Sequence, residues 1–151
     1  RWLSRSISRT TNKLLMEPKA TFTKSEHLKD KILIDKLFTQ GERKRFGCIT
    51  FYNYFIDNDT SFDSAIVVVA RKRNFKKAVD RNRIKRLLRE CYRKNKFILD
   101  ERYKLEKKRL LLGAVYAFDK LPTYSMCNTA FVKFFLFLNS KADHRNEQIV
   151  K

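Results

Sequence analysis

The spacing of apolar and polar positions changes several times along this chain, and each change predicts an element. Leu28, Ile32, Leu33 or Ile34, Leu37 and Phe38 recur at helical spacing. They predict a first helix over residues 25–39, with Ser25 as N-cap and Gly41 as stop signal. Residues 46–56 are dense in β-branched and aromatic side chains and predict a strand. The polar run 57–61 reads as a turn. The sequence AIVVVA at 65–70 predicts a buried strand, since nearly continuous valine suits a sheet centre. A basic helix is expected over 77–96, then a polar linker rich in Lys and Glu, then a strand over 110–118. Pro122 marks a loop, and a last helix over 125–140 turns Phe131, Phe134, Phe135 and Leu138 to the core. The tail after Lys141 is polar and expected to fray. The order is α-β-β-α-β-α, with room for short additional strands. That is an α+β fold, in which helices pack on one small mixed sheet.

Length and charge narrow the picture. The chain has 151 residues and a formal net charge of +19, with a pI near 10.1. A single domain with a modest core is expected at this length. Solubility does not require so large an excess of cations, which points to a polyanionic partner, either nucleic acid or an acidic membrane surface. The longest apolar-rich stretch, 131–138, is interrupted by Lys133 and is far too short to span a bilayer. Cys48, Cys91 and Cys127 are widely spaced and include no CxxC pair, so small buried thiols are expected rather than a zinc site. Residues 1–20 carry Arg1, Arg5, Arg9 and Lys13 among Ser and Thr, with no acid before Glu17. This zone reads as a disordered basic arm, as an extension upstream of a start at Met16, or as an organellar targeting segment. The division expected is therefore 1–20 arm, 21–140 folded domain and 141–151 tail, with cytoplasmic residence unless the arm directs the chain to an organelle.

The segment 71–96, RKRNFKKAVDRNRIKRLLRECYRKNK, holds thirteen Lys or Arg and two acids, Asp80 and Glu90. On a helix, Ile84, Leu87, Leu88 and Cys91 converge on one side. Asn82, Lys85, Arg86, Arg89 and Arg93 converge on the other, with Arg81 and Arg83 at the seam. Solvated helices mix signs for i,i+4 pairing; this one presents a row of like charges. A guanidinium fork binds phosphate through paired hydrogen bonds. The amide of Asn82 can read a sugar hydroxyl or a base edge, or brace a neighbouring arginine.

Here a resemblance becomes specific. Ala78, Val79, Arg81, Asn82, Lys85, Arg86, Arg89 and Glu90 fill the pattern A-V-x-R-N-x-x-K-R-x-x-R-E, and Arg83 completes an Arg-Asn-Arg signature. In this the chain resembles the bacterial ribonuclease P protein family over roughly residues 21–140. Two positions depart from the family pattern: Lys76 stands where many members have glycine before the helix, and Ile34 where many have a second aromatic one turn before Phe38. The resemblance implies a left-handed βαβ crossover containing the Arg-Asn-Arg helix, against the right-handed rule. It implies that Arg81, Asn82, Arg83, Lys85, Arg86, Arg89 and Arg93 dock on a catalytic RNA, and that the sheet and first helix receive the 5′ leader of precursor tRNA. Phe38, with Phe51 or Tyr52, would contact that leader, and Arg71, Lys72 and Arg73 would hold its phosphates.

The residues themselves leave strand parity open. Phe46, Cys48, Thr50, Tyr52 and Tyr54 share one face of the first strand, and Ile49, Phe51 and Phe55 the other. One face packs on helices, and the other can stack single-stranded bases. No paired histidines, glycine-rich phosphate loop or nucleophile elbow stands out, and the carboxylates are scattered. No catalytic or metal-ligating residues are assigned to this chain. The resemblance gives hydrolysis to the RNA subunit with magnesium, and makes this chain the accessory subunit of an endoribonuclease that matures tRNA 5′ ends. Its expected partners are the catalytic RNA and precursor tRNA, with no membrane and no obligate protein partner. A general RNA-binding or ribosomal protein shares the charge without requiring the spaced motif. A DNA-binding reading would need a short helix and tight turn before the basic helix, where a strand is predicted instead. A protein-only ribonuclease would cut with no RNA partner.

Overall fold

Between Gly41 and Asp57 the chain turns back on itself, because Gly47 takes a left-handed φ of 57°. Gly47 and Cys48 form a two-residue hairpin loop, with Phe46 paired to Ile49. A positive φ at the first central residue alone matches the type II′ turn that suits strand twist. The predicted strand 46–56 thus becomes β2 (Ile49–Asp57), and the turn joins it to a strand that was not predicted, β1 (Glu42–Phe46). The computed structural model describes residues 22–58, 62–103 and 105–150, the side chains at 101, 102 and 142–150 excepted. The arm at 1–20 and the turn residues 59–61 lie outside the described residues.

β3 (Asp63–Ala70) and β4 (Lys108–Tyr116) complete a four-stranded sheet of order β1-β2-β4-β3. Pairings β1–β2 and β2–β4 are antiparallel and β3–β4 is parallel. The mixed sheet and the α+β class are as expected. The first helix, α1 (Lys31–Gln40), starts later than predicted, because Asp30 is its N-cap and accepts from the Ile32 amide at 2.9 Å. Ser25 lies instead in a 3-10 turn, Lys24–Glu26. The helix ends at Gly41, whose φ of −71° is ordinary. Glycine is needed there for space: a Cβ would sit 2.3 Å from the Leu37 carbonyl oxygen and 2.9 Å from that of Asn53.

The basic helix α2 (Ala78–Asn95) has the predicted place; of its predicted stripe Ile84, Leu88 and Cys91 are wholly buried and Leu87 partly, and Tyr92 is buried with them. Burial of each aliphatic side chain contributes roughly 1.5–3 kcal/mol. The linker after it is not all coil. Leu99 and Tyr103 are buried on a short helix, α3 (Phe97–Tyr103). The last helix, α4 (Tyr124–Val150), continues through the segment expected to fray. Helices α2, α3 and α4 bury one sheet face through Ile49, Phe51, Ile66, Val68, Leu110, Leu112 and Ala114 against Ile84, Leu88, Phe131 and Phe134. α1 lies on the other face, where Leu28, Leu37, Ala65 and Leu111 form a smaller core.

Candidate nucleic-acid interface

The outward side of α2 is the first surface. Asn82, Arg83 and Arg86 are exposed, and Lys85, Arg89 and Arg93 are half-exposed. Their position follows from the stripe on the opposite side, which the core fixes. Tyr92 is pinned through its hydroxyl, 2.5 Å from the buried Ser64 Oγ, and Asn95 donates to the Cys91 carbonyl and to Asn128 Oδ1. Among the described residues no carboxylate pairs with Arg83, Lys85, Arg86 or Arg89. Arg93 differs: its Nη2 lies 2.5 Å and its Nε 3.0 Å from the Glu90 carboxylate. That contact holds the Glu90 carboxyl below the usual range and raises the Arg93 guanidinium. The C-terminal part of the row is therefore partly neutralised.

Arg81 also has a local task. Its Nη1 donates to the Phe75 and Lys76 carbonyls at 2.8 and 2.9 Å, bracing the turn into α2. Lys76 fits this turn because no described residue other than glycine has a positive φ. Phe75 fastens the same turn to the sheet, its ring 5.9 Å from that of Tyr116. Lys77, the N-cap, makes no side-chain cap hydrogen bond. The first-turn amides of α2 thus keep donor capacity beside the arginines, an arrangement favourable to phosphate.

The second surface is the sheet face that carries α1. Strand parity is settled here. Tyr52, Tyr54 and Ile56 point to the α1 side, and Ile49, Phe51 and Phe55 to the side of α2–α4. The predicted alternation fails at Phe46 and Cys48, which the Gly47 turn swings into the larger core. Phe38 and Tyr52 meet with ring centroids 4.7 Å apart at 64°, and both stay partly exposed. Phe51 must be withdrawn as a contact for RNA. It is 1% exposed and stacks on Phe134 at 4.2 Å and 8°, beneath α4.

Pairing across the sheet sets Arg43 beside Tyr52, Gly113 and Val67, and Arg45 beside Thr50, Val115 and Val69. Gly113 lets α1 lie close, since a Cβ there would be 3.3 Å from both Leu37 Cδ2 and Phe38 Cζ. Arg71 (half-exposed) and Lys72 and Arg73 (both exposed) follow the end of β3 and lead directly into α2. The two basic surfaces therefore join through residues 71–77. Sequence reasoning missed Arg43 and Arg45, which sit on the unpredicted strand β1. The available signal was the run of cations Arg43-Lys44-Arg45 two residues before Gly47, the pattern of a guarded edge strand leading into a turn.

His27 and Glu26 brace this frame. His27 bridges to Ile66, and its ring contacts Phe22 at 5.1 Å. Burial, then Arg89 and Lys29, lower its pKa below the ordinary 6.5. Lys96 Nζ lies 2.8 Å from each Glu26 oxygen, tying the first turn to α2. Cys48, Cys91 and Cys127 are free and buried, and burial pushes Cys91 up to about 12. Among the described residues no helix is long and apolar enough to cross a membrane.

Comparison with known proteins agrees with this geometry. Residues 22–115 match the family model described as Ribonuclease P. A ribonuclease P protein component of Porphyromonas gingivalis is 34% identical over 123 residues, covering 78% of this chain and 88% of the relative. One of Borrelia turicatae is 36% identical over 76 residues, covering 50% of this chain and 63% of the relative. In fold the chain is similar to the Staphylococcus aureus RNase P protein, with TM-score 0.51 and 18% identity over 76% of this chain and 95% of that one. It is also similar to the RNase P protein of Thermotoga maritima, with TM-score 0.51 and 17% identity over 73% of this chain and 94% of that one.

Proposed function

The chain belongs to the ribonuclease P protein family and is a protein component of that tRNA-processing enzyme; from this we propose how its two surfaces divide the work. The outward row of α2 docks on the catalytic RNA, and the α1 face of the sheet holds the 5′ leader of precursor tRNA. The observation that carries the reading is the placement of Arg83, Lys85, Arg86 and Arg89 opposite a buried stripe, with no described carboxylate paired to them. Such a row gains affinity by displacing counterions from phosphates. The amide of Asn82, exposed between Arg81 and Arg83, adds a donor and an acceptor for sugar or base edges.

On the other face, Phe38 and Tyr52 offer half-exposed rings on which an unpaired base can stack. Arg71, Lys72 and Arg73 stand at the end of β3 to hold phosphates of the same strand. In this reading hydrolysis belongs to the RNA subunit, where magnesium supplies a metal-activated water and charge stabilisation. The chain contributes by binding and orienting, which converts an encounter of RNAs into a held geometry. It would work where precursor tRNA is made, in the cytoplasm.

The test is cleavage of a labelled precursor tRNA at low magnesium. The protein alone, a bacterial ribonuclease P RNA alone and their mixture are compared. Cutting at the mature 5′ end by the mixture only is expected. A mixture that gains nothing over the RNA, while the protein still binds RNA tightly, would sink the proposal in favour of general RNA binding.

A further inference from the structure

The end of the sheet beyond Tyr52 carries an aromatic that neither surface uses. Phe118 lies two residues past the end of β4 and is 38% exposed. Its ring packs edge-on against Tyr116 at 6.2 Å. The Arg45 guanidinium reaches it from β1, 5.6 Å from the ring centroid. Neither group is loosely placed. Ala117 continues the β-ladder by donating to the Cys48 carbonyl at 2.8 Å. The Tyr116 hydroxyl donates to the Lys120 carbonyl at 2.6 Å, closing the loop behind Phe118. The Arg45 Nε donates to the Gly47 carbonyl at 3.2 Å.

The register locates this pair relative to the leader surface. Arg45, Thr50, Val115 and Val69 form one row, and the next step outward reaches Cys48, Ala117 and Arg71. Phe118 stands at that rim, with Arg45 on one side and the 71–73 cluster on the other. From the level of Tyr52 to that of Cys48, just past the start of β2, is four residues, roughly 13 Å, or about four stacked nucleotides at 3.4 Å each. A ring with a cation over it and further cations beside it has the composition of a stacking station for single-stranded nucleic acid. Asp119 is the one acid next to it in sequence, set against Arg45, Lys120 and Arg71–Arg73.

We propose that Phe118 and Arg45 form a second stacking station for single-stranded RNA, taking a leader base further from the cleavage site than the one at Phe38 and Tyr52. The proposal rests on the reading of the α1 face as the leader surface. It predicts that leader length matters in two steps, one for each station.

The experiment uses the complex of full-length protein and ribonuclease P RNA. Precursor tRNAs with leaders of two to ten nucleotides are bound in a divalent ion that does not support cleavage. In parallel, 2-aminopurine is scanned along the leader, and stacking is read as loss of its fluorescence. Wild type should quench at two separated positions. Phe118→Leu keeps apolar packing on Tyr116 but removes the flat ring. It should abolish the distal quench, keep the proximal one, and weaken long leaders by about five- to tenfold while short ones are unchanged. Arg45→Gln should weaken long leaders by about two- to fivefold, and Phe118→Tyr should restore wild-type behaviour. Unchanged long-leader affinity in Phe118→Leu, with Phe38→Leu still weakening it, overturns the second station alone. Equal loss for every leader length also overturns it, because the ring would then serve the catalytic RNA. If Phe38→Leu has no leader-dependent effect either, the leader surface itself has been misplaced.

Discussion

Removing Arg86 and Arg89 together tests the docking role of α2 through a quantity that a structural role would not move. Both side chains stand opposite the stripe of Ile84, Leu88 and Cys91, and no described carboxylate pairs with them. Alanine is the best helix former, so Arg86→Ala with Arg89→Ala should leave stability within about 0.5 kcal/mol of wild type. Each phosphate neutralised contributes about 0.7 to 0.9 to the slope of log affinity against log salt. The double variant should therefore be shallower by roughly 1.4 to 1.8. Over a fourfold rise from about 50 to 200 mM salt, that difference narrows the affinity gap between wild type and variant by roughly seven- to twelvefold.

The assay is equilibrium binding to ribonuclease P RNA at five salt concentrations, with thermal melts as the control for folding. Arg93→Ala is the internal comparison. Its charge is already engaged by Glu90, so it should change the slope less than either Arg86→Ala or Arg89→Ala. A double variant that binds more weakly at every salt but keeps the wild-type slope would refute the phosphate contacts. It would mean that the arginines act through shape or through other residues.

Three further outcomes follow from the frame. Tyr92→Phe removes a buried hydroxyl 2.5 Å from Ser64 Oγ and should cost about 1–3 kcal/mol in a urea melt; adding Ser64→Ala should recover part of that loss, and a cost near zero would contradict the bond. Gly113→Ala places a methyl 3.3 Å from Leu37 Cδ2 and Phe38 Cζ, so it should destabilise by about 1 kcal/mol and shift Phe38, read as weaker binding of leader-bearing substrate with unchanged binding of the catalytic RNA. His27 has a pKa lowered below 6.5; the unfolded chain then takes up the proton first, stability is full above 6.5 and falls as pH drops below it, and His27→Gln should flatten that fall in melts at successive pH values between about 7.5 and 5.5.

What the sequence made legible was what a period can carry. The stripe of α2 recurs at helical spacing from Ile84 to Cys91, about two turns, and the structure buries Ile84, Leu88 and Cys91 completely and Leu87 in part. The apolar run of β3 and the phenylalanines of α4 were equally plain, because each element buries its own pattern. The choice between Phe51 and Tyr52 was not legible. A two-residue period says only that they face opposite ways, and both are aromatic. It took α4, whose Phe131 and Phe134 close over Phe51, to decide which face is core. Likewise α3 was hidden because its seven residues mix Phe97, Ile98, Leu99 and Tyr103 with acids over too short a span for periodicity.

β1 shows most clearly why the candidate site was only half readable. Glu42-Arg43-Lys44-Arg45-Phe46 has no β-branched residue, and by propensity it is no strand. It is held in the sheet by its register with β2, by the Gly47 turn, by Phe46 packing on Phe51, Phe134 and Phe137, and by the ion pair from Lys141 to Glu42. Each of these supports comes from outside the segment. An edge strand tolerates such a sequence because one side needs no partner and charge there discourages pairing with another chain. The same charges that make β1 unreadable as a strand place Arg43 in line with Tyr52, and Arg45 in line with Thr50 and against Phe118. The basic charge that bears on the proposed leader surface therefore includes side chains whose role no local pattern announces. A count confined to the Arg-Asn-Arg helix and the 71–73 cluster understates the number of phosphates this face can hold.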